Sequence, residues 1–139
     1  MRNIIVLLVI FAMSLSCRED ELAVDECQAK RDSLLCTDVL RAVSVVVVDQ
    51  DDQPVALDRY VVTDNDDYYE EVQTNEYARA SGTYSIITDT ESYLIKAGGS
   101  RISFTGFVGS KAVVKETFFV GYDCCHVHLL SGSDTIRVE

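Results

Sequence analysis

From Ala42 to the end, the chain is cut into short β-branched and aromatic segments by turn residues roughly every 8–12 positions, a rhythm that leaves little room for anything but antiparallel β structure. The apolar run Val43-Ser44-Val45-Val46-Val47-Val48 ends in Asp49-Gln50-Asp51-Asp52-Gln53-Pro54. Val55 to Thr63 resumes as a second strand and breaks at Asp64-Asn65-Asp66-Asp67. Tyr68 to Ala80 reads either as an edge strand or as an irregular excursion. Gly82 opens the strand Thr83 to Thr88. Ser92 to Ala97 follows, and Gly98-Gly99 marks a tight turn. Arg101 to Val108 alternates, placing Ile102, Phe104 and Val108 on one face. Ala112 to Tyr122, Cys124 to Leu130 and Thr135 to Val138 complete the set. No long helical period intervenes to support parallel crossovers. The expectation is an all-β, antiparallel β-sandwich of about seven strands over residues 42–139. A short N-terminal helical or irregular segment, 25–41, precedes it, with Asp25 or Asp32 as helix caps.

The first residues read as an address. Arg2 precedes an unbroken apolar run, Ile4 to Met13. Ten helical residues rise about 15 Å, half of a bilayer's hydrocarbon core of about 30 Å, so the run suits a signal peptide over residues 1–16 better than a membrane span. Ser14-Leu15-Ser16-Cys17 resembles the lipobox of bacterial lipoproteins, with Ser14 where that family prefers Leu. The resemblance implies lipidation at Cys17 and a tether over 17–24. Arg18-Glu19-Asp20-Glu21 resembles the acidic signal that sends Bacteroidota lipoproteins to the outer face of the outer membrane. A surface-exposed outer-membrane lipoprotein is the expected location, and a periplasm-facing anchor the second choice.

Within the sandwich, Val46-Val47-Val48-Asp49, then Gln53-Pro54-Val55, then Gly82-Thr83-Tyr84-Ser85-Ile86 resembles the start of a carboxypeptidase regulatory-like module of the transthyretin-like or Ig-like sandwich type. It departs from that pattern in carrying Asp51-Asp52 where a turn Gly is usual, and in the long insert from Asp64 to Ser81. The resemblance implies a spacer, accessory or binding domain, because fold alone does not specify chemistry.

With 12 Lys+Arg against 23 Asp+Glu, the 139-residue chain carries a net charge of −11. A nucleic-acid binder needs a basic face, so no nucleic-acid partner is expected, and anionic headgroups are repelled as well.

Cysteine arithmetic supplies the strongest constraint on the N-terminal segment. Five cysteines less Cys17 leave Cys27, Cys36, Cys124 and Cys125, and an even number in an exported chain reads as disulfides. A Cys124–Cys125 bond is poor, because Cα atoms about 3.8 Å apart lie below the usual disulfide range. Two connectivities remain, and both tie residues 27–36 to the late strand. The alternative use of the same stretch is a metal site. Strand alternation would place Cys124, His126 and His128 on one face, a thiolate and two imidazoles suited to Zn or Cu. An oxidising compartment favours the disulfides, so no cofactor is expected.

Asp49, Asp51, Asp64 and Asp66 sit at spacings reminiscent of calcium loops. They lack the Gly and Glu that an EF-hand requires, and turn formation accounts for them. No nucleophile elbow or phosphate loop is present, and catalysis is not expected. Tyr68, Tyr69 and Tyr77 in the acidic excursion are candidates for a binding patch, since tyrosine offers stiff amphipathic contact area. The expected role is therefore a non-catalytic accessory or binding module with a protein or glycan partner, with metal capture or sensing as the alternative.

Overall fold

The computed structural model describes residues 27, 28, 30, 33–64 and 68–139. The signal peptide, Cys17, the tether, Asp25, Asp32 and Asp66 lie outside the described residues. The sandwich is present, and it has eight strands among the described residues. They are β1 (Ala42–Val48), β2 (Arg59–Thr63), β3 (Tyr69–Gln73), β4 (Thr83–Thr88), β5 (Ser100–Val108), β6 (Lys111–Tyr122), β7 (Val127–Ser131) and β8 (Thr135–Arg137). A five-stranded sheet runs β3-β2-β5-β6-β7, and a three-stranded sheet runs β4-β1-β8. All pairings are antiparallel except β1 with β8, which is parallel. The last strand returns from the five-stranded sheet and lies beside the first, the long crossover that parallel neighbours require.

The core is the inward half of both sheets. Val43, Val45 and Val47 of β1, Tyr84 and Ile86 of β4 and Ile136 of β8 meet Tyr60, Val62, Ile102, Phe104, Val114, Phe118, Val120 and Val127 in one cluster. The alternation read from the sequence is the physical cause, since successive strand residues point to opposite faces. A register shift at Val43/Ser44 gives β4 an extra residue, and both Ile86 and Ile87 are buried there. A second shift at Gly106/Phe107 places its extra residue, Val113, on β6, so β5 keeps its alternation and Val108 stays on the face of Ile102 and Phe104. Val108 is nevertheless 43% exposed, because it is the last strand residue before the Gly109-Ser110 turn and lies beyond the core.

Four further segments depart from the expected strands. The second strand begins at Arg59, not Val55. Residues 55–58 are held as a loop, because the buried Tyr84 hydroxyl donates to the Val55 carbonyl (2.6 Å) and accepts from the Leu57 N–H (2.8 Å). The excursion Tyr68 to Ala80 resolves into edge strand β3 and helix α1 (Glu76–Ser81). Asn75 caps α1 by accepting from the Ala78 N–H, and Gly82 ends it at φ 66°, a conformation that favours glycine. Residues Asp89–Leu94 form a 3-10 helix, started by a capping box between Thr88 and Glu91. Finally, β7 begins at Val127, not Cys124.

The pieces quoted for the module resemblance meet in space. The Val47 N–H donates to the Gly82 carbonyl (2.8 Å) and the Val55 N–H to the Val47 carbonyl (2.9 Å). The acidic turn residues act as turn residues. Asp49 Oδ1 accepts from the Asp51 and Gln53 N–H groups, and Asp64 Oδ1 accepts from the Tyr68 N–H.

Tyr84→Phe tests how far that loop depends on one hydroxyl. It leaves a buried N–H and a carbonyl unpaired while changing no packing volume, and should lower the unfolding free energy by about 2 kcal/mol in urea denaturation.

Candidate functional site

The residues that the sequence singled out as chemically active gather at one end of the sandwich, around the β6–β7 turn. Asp123 builds that turn. Its Oδ1 accepts from the Cys125 N–H (2.9 Å) and the His126 N–H (2.7 Å), and its own N–H donates to the His126 carbonyl (3.2 Å). Those amide bonds, led by the one from His126, outweigh a burial cost and hold the Asp123 carboxyl below the usual range. Cys124 takes φ 78°, and the Tyr122 hydroxyl donates to its carbonyl (3.0 Å). The two cysteines are thereby offered side by side to the N-terminal arm.

The arm is bonded to both. Cys27 pairs with Cys124 at a Cα separation of 5.2 Å, and Cys36 pairs with Cys125 at 5.3 Å. Of the two connectivities left open by the sequence, this is the one adopted. Both cysteines lie in the turn and not on a strand, so both bonds are made at one end of the sandwich.

The metal expectation is corrected here. A turn residue in the left-handed region breaks the alternation that would have put Cys124, His126 and His128 on one face. The Cys124 sulfur is bonded to Cys27, and both His126 ring nitrogens have partners. His128 lies on β7, where its Nδ1 is buried without a hydrogen-bond partner. Among the described residues, no three His, Cys, Asp or Glu side chains are grouped to hold a metal ion.

What the arrangement forms instead is a polar strut. His126 Nδ1 lies 2.9 Å from Asp89 Oδ2, and His126 Nε2 lies 3.0 Å from Thr37 Oγ1. The side chains of His126 and Asp89 are each 13% exposed. Asp89 also accepts from the Arg41 N–H at Oδ2 and the Val127 N–H at Oδ1, both at 2.7 Å, and its own N–H donates to the Arg41 carbonyl (3.0 Å). Burial alone would raise the Asp89 carboxyl. The His126 bond and the two backbone amides overcome that and hold it below its ordinary value. The order hydroxyl–imidazole–carboxylate is that of a nucleophile relay. Here its two ends join the arm to the sandwich, Thr37 to His126 and Arg41 to Asp89, while the His126–Asp89 link between them lies within the sandwich.

Neither Asp89 nor Thr37 was marked by the sequence. The capping box Thr88-x-x-Glu91 around Asp89 is readable, but it announces a helix start and not a partner 37 residues away. The three tyrosines do not form one surface. Tyr68 is half-buried against the core with its hydroxyl donating to Glu70 (2.5 Å). Tyr69 points to the other side of β3 and is 62% exposed, and Tyr77 stands exposed on α1. Compared with known proteins, the chain matches no family model, no curated protein and no solved structure.

Proposed function

We propose that this chain is an exported lipoprotein, anchored through Cys17, whose sandwich serves as a non-catalytic binding or accessory module for a protein or glycan at the cell envelope. The observation that carries the reading is the pair of disulfides joining Cys27 and Cys36 to Cys124 and Cys125. Such bonds persist in oxidising compartments, and they take up every cysteine except the one at the lipobox-like sequence. The clamp has a mechanical sense for a tethered module. It passes the pull of an anchor into the β6–β7 turn rather than into a fraying N-terminus.

The envelope placement, the outer face of the outer membrane first, follows from the apolar run Ile4 to Met13 and the acidic residues after Cys17. The module reading follows from the likeness of residues 43–88 to carboxypeptidase regulatory-like sandwiches. Tyr69 on β3 and Tyr77 on α1 are exposed and are the aromatic side chains offered to a partner. Exposed aromatic rings of this kind suit protein and carbohydrate contacts.

Intact mass of the membrane-fraction protein, before and after alkylation without reductant, tests the reading. The expected result is loss of residues 1–16, added diacylglycerol and acyl mass on Cys17, and no thiol that alkylates. Peptide mapping should join 27 to 124 and 36 to 125. Two alkylating thiols, or a species with its leader intact, would sink it.

A further inference from the structure

The arm that the disulfides clamp differs from the rest of the chain in both exposure and charge. Leu35, Val39 and Leu40 are 100%, 65% and 65% exposed. A single exposed Leu is ordinary, but three within residues 35–40 form a concentrated apolar feature. Residues 27–41 carry Lys30, Arg31 and Arg41 against Asp32 and Asp38, a net +1. Residues 42–139 carry seven basic and sixteen acidic side chains, a net −9.

We propose that this arm docks on the surface of the lipid leaflet that holds the anchor, with Leu35, Val39 and Leu40 entering the boundary between headgroups and acyl chains. This deepens the anchored-module reading and rests on it. Three observations support a bilayer as the occupant. The anchor at Cys17 lies ten residues before Cys27, so it keeps that end of the arm within about 35 Å of the membrane. Apolar side chains among Lys and Arg are the composition of interfacial segments. The −9 sandwich is repelled by an anionic surface while the arm is not, which turns the arm inward and the sandwich outward. The two disulfides and the Thr37–His126–Asp89 strut make the arm a rigid foot rather than a loose leash. The β5–β6 hairpin then stands at the far end of a twelve-residue strand, about 40 Å from the foot.

The chain contains no tryptophan, so Leu35→Trp installs a single reporter indole at a position whose side chain is fully exposed. Val108→Trp, on the distant hairpin, is the control. Each protein is placed on phosphatidylcholine vesicles in two ways: as purified from the membrane fraction, and made without residues 1–16 so that it is not lipidated, then coupled through the free Cys17 thiol to a maleimide lipid. The Leu35→Trp emission should shift to shorter wavelength and be roughly halved by lipids brominated high on the acyl chain, the depth of interfacial side chains. Val108→Trp should not respond. Quenching in the coupled sample when the membrane-fraction protein carries no lipid supports docking and rejects the anchor. A lipidated protein that floats with vesicles but leaves the Leu35→Trp indole unquenched rejects docking and keeps the anchor. An indole already buried without vesicles, in a sample that sediments as a dimer, assigns the surface to a second copy and overturns the proposal.

Discussion

Replacing Cys27, Cys36, Cys124 and Cys125 together by serine is expected to lower the unfolding free energy by about 7.5 kcal/mol, while removing either pair alone costs only about 3 kcal/mol. The asymmetry comes from the nesting of the two loops. The bonds span 97 and 89 residues, and either one alone closes nearly the whole described domain, an entropic restriction worth about 4.7 kcal/mol. Once one is closed, the second encloses only the path from Cys27 to Cys36 and across the Cys124-Cys125 peptide. A loop of about eleven residues contributes only about 2.8 kcal/mol. A single knockout therefore exposes the small term, and the quadruple variant exposes both. For a domain of this size, whose total stability is about 5–15 kcal/mol, the quadruple variant should populate the unfolded state measurably at 37 °C. Urea denaturation of the four proteins decides it. Two single losses of nearly 5 kcal/mol each would show that the loops act independently, and equal stability of all four would show that the arm restrains nothing.

Much of this architecture is written locally. The β-branched runs, their turn residues and the alternation of Val43, Val45 and Val47 follow from period-two patterning, and the sandwich with them. The departures are where a tertiary contact outweighs the local signal. Val55 to Asp58 has strand composition, but the Tyr84 hydroxyl takes the Val55 carbonyl and the Leu57 N–H out of the ladder. Val108 has the right spacing for the core, but it stands at the hairpin end of β5, past the reach of the facing sheet's side chains. At the candidate site, exclusion of a vicinal bond left two disulfide patterns, and no local rule chooses between them. The choice depends on how the Asp123 turn aims two adjacent sulfurs. The same turn breaks the alternation on which a Cys124, His126 and His128 metal site depended. Asp89 was invisible for a different reason: its partners, Thr37-linked His126, Arg41 and Val127, come from two segments remote in sequence.

Asp89→Ala should be the most damaging single substitution at this end of the molecule that leaves both disulfides intact, costing roughly 3–5 kcal/mol. It strands three donors at once: the Arg41 and Val127 amides and His126 Nδ1. The loss should be localised, with hydrogen exchange at Arg41 and Val127 rising more than at β5 or β6. Asp89→Asn keeps one carbonyl oxygen and the side-chain volume and should cost less, about 2 kcal/mol. It also isolates the electrostatic part. The folded-state carboxyl is held below its unfolded value, so its contribution is fully present above the unfolded pKa of about 4 and disappears as pH falls through the folded one. Stability of the native sequence should therefore decline on acidification below about pH 4, and Asp89→Asn should flatten that decline. It should not abolish it, because Asp123 and Glu91 are also held low, Asp123 by the turn amides and Glu91 by Thr88 and Thr90 against the cost of burial. An acid limb of unchanged slope in Asp89→Asn would place the protons taken up on unfolding at Asp123 and Glu91. Asp89 would then hold the arm, through its bonds to Arg41 and its support of His126, by geometry, with no net contribution from its charge.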